Sequence, residues 1–269
     1  MTPAHAMQAL HALGSREVVK FIHQKGRLFS ALVRPALWLI VFAAGFQNVF
    51  GVSVIPPYNT YIEYQEYVVP GLLGMVLLFN GMQSSLAMVY DREMGLMRLL
   101  LTAPLPRWYL LLCKLLAGTL LSVLQAYAFL LLCLVFQVEI PLSGWLYALP
   151  ALILSGMMLG SLGLLLSVHI KQLENFAGTM NFVIFPMFFI SSALYPLWKL
   201  QESGADLVYA LARINPFTHA IELIRFALYG QFNDVGLAVV LGCLVVFFVL
   251  AVYGYDPQHG MVSRAPKPA

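Results

Sequence analysis

The chain has 269 residues, 61% of them apolar and only 10% charged, against about 25% charged in an ordinary soluble domain. Its mean hydropathy is +0.82, and its formal net charge of +3 is small. A water-soluble fold of this size has too little interior for so much apolar surface, so a soluble domain is excluded and a bilayer is the fitting solvent.

In chain order, the first segment places Val18, Val19, Phe21, Ile22, Leu28, Phe29, Leu32 and Val33 on one half of a helical wheel. Arg16, Lys20, His23, Arg27 and Arg34 lie on the other half. Charge interrupts its apolar residues, so it does not read as a signal peptide. It reads as a helix over 15–34 lying flat in the cytoplasmic interface, with Lys25 snorkelling; a short soluble arm is the alternative. A membrane helix needs about 20 mostly apolar residues. Spans are expected at about 35–51, 67–90, 108–136, 143–168, 176–196 and 235–255. None alternates as a membrane β-strand does, so the expected fold is an all-α polytopic membrane protein with six transmembrane helices. Trp38, Trp108, Trp145 and Trp198 fall near span ends, and Tyr58, Tyr61, Tyr64 and Tyr67 in the first outer loop extend that aromatic belt. A substrate-facing role for these tyrosines is the alternative.

Between spans two and three, Asp91 suits a helix cap, Glu93 suits the first turn, and Pro104 and Pro106 end the helix. A helix of about three turns over 91–104 follows, and a plain connecting turn is an equal reading. Between spans five and six, Asn215 suits a cap, Pro216 a first turn and Gly230 the position past a helix end. Glu222 and Arg225 can pair on one face. This region, 197–232, either dips into the outer leaflet and returns or rests on the outer surface.

Twelve of the fifteen Lys and Arg fall on one side of this layout, which puts both termini in the cytoplasm. No ionisable side chain is expected deep in a span. The uncharged polar groups there are Gln47, Asn48, Asn80, Gln83, Gln125 and Asn181. Asn80, Gln83 and Asn181 are candidates for a translocation path, with bonding to a neighbouring helix as the other reading. Cys113, Cys133 and Cys243 read as buried apolar thiols. The histidines show no metal-ligand spacing, and no metal site is expected. No G-x-S-x-G or H-E-x-x-H supports a membrane enzyme, and no G-x-x-x-x-G-K-[ST] is present to grip a nucleotide.

Arg92, Glu93, Gly95, Leu100 and Pro104 resemble the R-E-x-G-x-x-x-x-L-x-x-x-P of the first cytoplasmic loop in ABC type-2 transporter permeases. Tyr67-Val68-Val69-Pro70-Gly71-Leu72 is similar to the opening of that family's second span. The run from Ser191 to Leu197, then Asn215-Pro216-Phe217-Thr218, Arg225 and Gly230, resembles its signature after the fifth span. Ser192 and Ala193 stand where the family often carries Gly.

The resemblance implies a single ABC type-2 transmembrane domain over 1–269, the permease subunit of an ATP-driven exporter. Segment 15–34 would be its elbow helix, 91–104 its coupling helix and 197–232 its external re-entrant region. Coupling to the ATPase would fall to Asp91, Arg92, Glu93, Gly95, Arg98, Leu100 and Pro104. The re-entrant signature would be Tyr195, Pro196, Asn215, Pro216 and Arg225. Spans one, two and five would line the path, with Asn80, Gln83 and Asn181 in it. Implied partners are two copies of a cytoplasmic ABC ATPase, a second permease copy in a homodimer, and membrane lipids, with no nucleic acid. No cofactor is expected in this chain; ATP and Mg would bind the ATPase. The setting would be a bacterial inner membrane and the cargo an amphiphile such as a drug, lipid or lipid-linked glycan. Rival readings are a stand-alone secondary carrier or channel and, behind it, a lipid-modifying membrane enzyme.

Overall fold

The computed structural model describes residues 3–23, 25–46, 56–58, 62–94, 106–170 and 172–255. Among the described residues the protein is helical with no β-strand. Its helices are α1 (Pro3–His23), α2 (Lys25–Phe46), α3 (Tyr64–Glu93), α4 (Arg107–Val135), α5 (Leu142–His169), α6 (Leu173–Phe189), α7 (Leu197–Glu202), α8 (Asp206–Ile214), α9 (Pro216–Leu228) and α10 (Asp234–Gly254). By length and composition α3, α4, α5 and α10 are each able to cross a membrane.

Helix α3 is the axis of the fold. Every residue from Tyr67 to Met82 is buried, which is what a helix apolar on all sides and ringed by others requires. Helices α2, α4, α5, α6 and α9 form that ring. Helix α10 is the opposite case. It is more apolar still, but of its residues only Gly236, Val240 and Ala251 are buried, and Val235, Leu241, Val245, Val246, Val249 and Leu250 are exposed. A surface that apolar needs hydrocarbon against it.

The structure moves several expected boundaries. Of the interfacial helix expected over 15–34, residues 15–23 are helical in α1 and 25–34 in α2, with residue 24 outside the described residues; α2 continues through Pro35 into the first span. Leu32, Trp38 and Leu39 join the main hydrophobic core, and that packing carries the helix through a proline that removes one backbone bond. Residues 47–51 of that span lie outside the described residues. Helix α6 stops at Phe189, short of 196. There Ser191 Oγ donates to the Phe188 carbonyl at 2.6 Å and accepts from the Ala193 N–H at 3.2 Å, drawing the chain out of the helix. Asp91, Arg92 and Glu93 do not open a new helix but form the last turn of α3. The rest of 91–104 beyond Met94, with Gly95, Arg98, Leu100 and Pro104, lies outside the described residues.

Candidate functional site

Three polar layers are stacked along α3. At its C-terminal end Asp91 is 1% exposed. A carboxylate at a helix C-terminus opposes the helix dipole, and two cations offset it: Lys114 of α4 at 3.4 Å and Arg16 of α1 at 3.5 Å. The exposed Glu93 reaches the other way, and its Oε1 accepts from the Leu173 N–H at 2.8 Å. That N–H is among the donors left unbonded at the start of a helix, so Glu93 caps α6 from another element. Arg92, half-buried, lies between them. The last turn of α3 is thus bonded to α1, α4 and α6.

At mid-height the buried Asn80 amide donates to Gln125 Oε1 of α4, which serves the neighbour-helix role open to it. Asn80 also lines, with Gln83, a cavity between α2 and α3 whose further walls include Arg34, Pro35 and Phe79. Asn181 is not in this layer; it is exposed on α6. Arg34 is the residue the sequence reading misplaced. Its guanidinium lies 3.9 Å from the centre of the Phe79 ring, and Phe79 is the midpoint of α3 (Tyr64–Glu93). The expectation of no ionisable group deep among the spans therefore fails at Arg34. Its position beside Pro35, at an expected span start, made it look interfacial; α2 carries it inward because the helix runs unbroken through that proline.

The layer at the N-terminal end of α3 is the most heavily bonded. Arg225 is 3% exposed and pairs with Glu222 one turn back. Its Nη2 donates to the Ser192 carbonyl at 2.8 Å, and its guanidinium sits 4.2 Å from the Tyr67 ring centre. Tyr67 donates to the same Ser192 carbonyl at 3.0 Å and Tyr64 to that of Leu194 at 2.7 Å. Tyr58, Tyr64 and Tyr67 are all buried, so they are not a lipid-facing belt; Tyr61 lies outside the described residues. The turn they hold approaches α3 so closely that a side chain at Gly71 would overlap the Ala193 main chain. Glycine is therefore needed at Gly71 rather than on the turn, and Ser192 and Ala193 are accommodated.

Asn215 caps α9 through Oδ1, which accepts from Phe217 N–H at 3.0 Å. Its amide nitrogen donates to the Met187 and Ile190 carbonyls at 2.8 and 2.6 Å, closing the end of α6. Pro216 takes the first position of α9. At the far end Gly230 has φ +67°, and bonds from Gly230 N to Ala227 O and Gln231 N to Phe226 O close the helix as a Schellman turn. Tyr195 donates to the Phe189 carbonyl, and Pro196 precedes α7. No cue in one sequence pointed to the Tyr64 and Tyr67 bonds, which cross more than a hundred residues of chain.

With this geometry in view, residues 8–229 match the ABC-2 type transporter family. A transport permease designated ycf38 from Cyanophora paradoxa is 31% identical over 82% of this chain and 74% of its own length. The inner membrane transport permease YadH of Escherichia coli K12 is 24% identical over 90% of both chains. The daunorubicin resistance ABC transporter permease protein DrrB1 of Streptomyces coeruleorubidus is 25% identical over 91% of this chain and 84% of its own.

Proposed function

The chain belongs to the ABC-2 type transporter family, and from that premise we propose that it is the permease of an ATP-driven exporter moving an amphiphilic cargo outward. Its class is that of a membrane-embedded transport permease, which transports rather than catalyses, and permeases of this family pair with ATPase subunits. In this proposal two copies of a cytoplasmic ABC ATPase bind ATP and Mg and drive a permease homodimer. The membrane is a bacterial inner membrane crossed six times, with both termini cytoplasmic. The segment that leaves α3 after Glu93 carries the coupling role, anchored by Asp91, Arg92 and Glu93 in the last turn of α3, and 197–232 is re-entrant from the outside.

The observation that carries this reading is the Glu93 cap on α6. A displacement of the segment leaving α3 reaches α6 through that bond, while Asp91 links the same turn to α1 and α4. Closure of an ATPase pair would thereby bias several helices at once between inward- and outward-open states.

The test reconstitutes the permease with its ATPase in liposomes and compares wild type with Glu93→Ala. Loss of transport with ATP hydrolysis retained, in a variant that still inserts, is the expected outcome. Normal export with unchanged stimulation of hydrolysis rejects the coupling role. Transport by the purified permease alone, driven by an ion gradient, rejects the ATP-driven reading altogether.

A further inference from the structure

Arg34 has no structural reason to be charged. Its level is fixed twice. The guanidinium lies over Phe79, about 20 Å from either end of α3 at 1.5 Å per residue. One turn further along α2, Trp38 packs edge-on against Phe188 and Phe189, at the end of α6 remote from Glu93. Arg34 therefore sits near the middle of the bundle and not at its cytoplasmic rim. Among the described residues its contact is the ring face of Phe79, and no carboxylate pairs with it. An ionised side chain at that depth costs several kcal/mol unless it meets a partner. Packing alone would be served by an uncharged residue.

The cavity beside it is narrow, with interior room for about one water, and it is divided by polarity. Met75, Val76 and Phe79 supply an apolar wall, and Arg34, Asn80 and Gln83 supply the polar one. A guanidinium carries a fixed charge and five N–H donors in a planar fork that fits carboxylate and phosphate oxygens two at a time. The ring face of Phe79 holds the fork by its quadrupole and competes only weakly with an anion. A neutral sugar would be met by the amides alone, and a cation would be repelled.

We propose that Arg34, with Asn80 and Gln83 beside it, binds at the open mouth of this cavity the acidic headgroup of an amphiphile, a phosphate or carboxylate. The assignment rests on the permease reading and narrows its cargo to anionic amphiphiles.

The test uses the purified full-length chain and native mass spectrometry with three probes: dodecyl phosphate, the uncharged dodecyl maltoside, and inorganic phosphate as competitor. Wild type should prefer dodecyl phosphate over the maltoside by about tenfold, the value of one charge-assisted bond. Arg34→Gln should lose that preference, and Arg34→Lys, a point charge without the fork, should keep part of it. Removing an unpaired charge should leave the unfolding midpoint of Arg34→Gln unchanged or higher, which separates lost binding from lost folding. Equal preference in wild type and Arg34→Gln overturns the proposal. Inorganic phosphate competing as well as dodecyl phosphate makes the site one for free anions and overturns the amphiphile. ATP-dependent transport is measured separately. Intact transport without acidic preference rejects this inference alone, and acidic preference without ATP-dependent transport rejects the permease reading alone.

Discussion

Asn215 makes three hydrogen bonds with one side-chain amide, and each half of the amide serves a different helix. Its oxygen caps α9 and its nitrogen closes the carbonyls of Met187 and Ile190 on α6. Asn215→Ala removes the cap, worth about 1 kcal/mol, and strands two carbonyls at about 1–3 kcal/mol each where water is absent. Its unfolding midpoint in detergent should fall well below that of wild type. Asn215→Asp is the sharper probe. It keeps the capping oxygen but turns a second acceptor toward two carbonyl oxygens, so its midpoint should be no higher than that of Asn215→Ala. An Asp variant as stable as wild type would show that the bonds to α6 contribute nothing. The cap itself was legible in the sequence, because Asn-Pro ahead of an apolar run has one local meaning. The bonds to α6 were not, since they join residues 25 and 28 positions apart and depend on how α6 ends.

Among elements, α8 has the clearest mismatch between its surface and its setting. Leu207, Leu211 and Ile214 form one exposed apolar stripe at the i, i+4, i+7 spacing of a helix face, and among the described residues α8 packs chiefly against α7 and α9. In water that stripe is a liability; in the outer leaflet it is an anchor. In a background with Cys113, Cys133 and Cys243 replaced, a spin label at Leu211→Cys should be relaxed by oxygen more than by a water-soluble nickel chelate. A label at Arg213→Cys should show the reverse. Nickel access at both positions would mean that α8 stands clear of the bilayer. Helices α3, α4, α5 and α10 were readable from uninterrupted apolar length, each ending within about one turn of its expected limits. Helix α2 was not. It continues through Pro35 with Leu32 and Leu39 packed into the core on either side, and local sequence rules read that proline as a boundary. The misplacement of Arg34, and with it the charged wall of the mid-height cavity, follows from that one boundary.

For the whole molecule, α6 poses the question that composition cannot answer. One face of it, with Asn181, Phe182 and Phe185, is exposed, and the amide of Asn181 has no hydrogen bond among the described residues. Hydrocarbon against that amide would leave its donors unsatisfied, which bilayers penalise. The exposed face of α10 offers no such group: around Val245, Val246 and Val249 it is apolar throughout. The two exposed faces therefore differ in what they can tolerate. Only the α10 face is suited to plain lipid, and the α6 face needs a polar surface or an aqueous path, which the proposed second permease copy would supply. In the same Cys-depleted background, Phe182→Cys should form a covalent dimer in membranes with a short bis-maleimide, and Val245→Cys should not. Equal yields at both positions would reflect random collision in the bilayer. Failure at Phe182→Cys with the protein inserted and labelled would place the second copy elsewhere, or nowhere. A dimer closed over α6 also sets what Glu93 can do, because the helix it caps at one end would then line the boundary between the two copies, so that a pull on the α3 turn would reach both copies and not one alone.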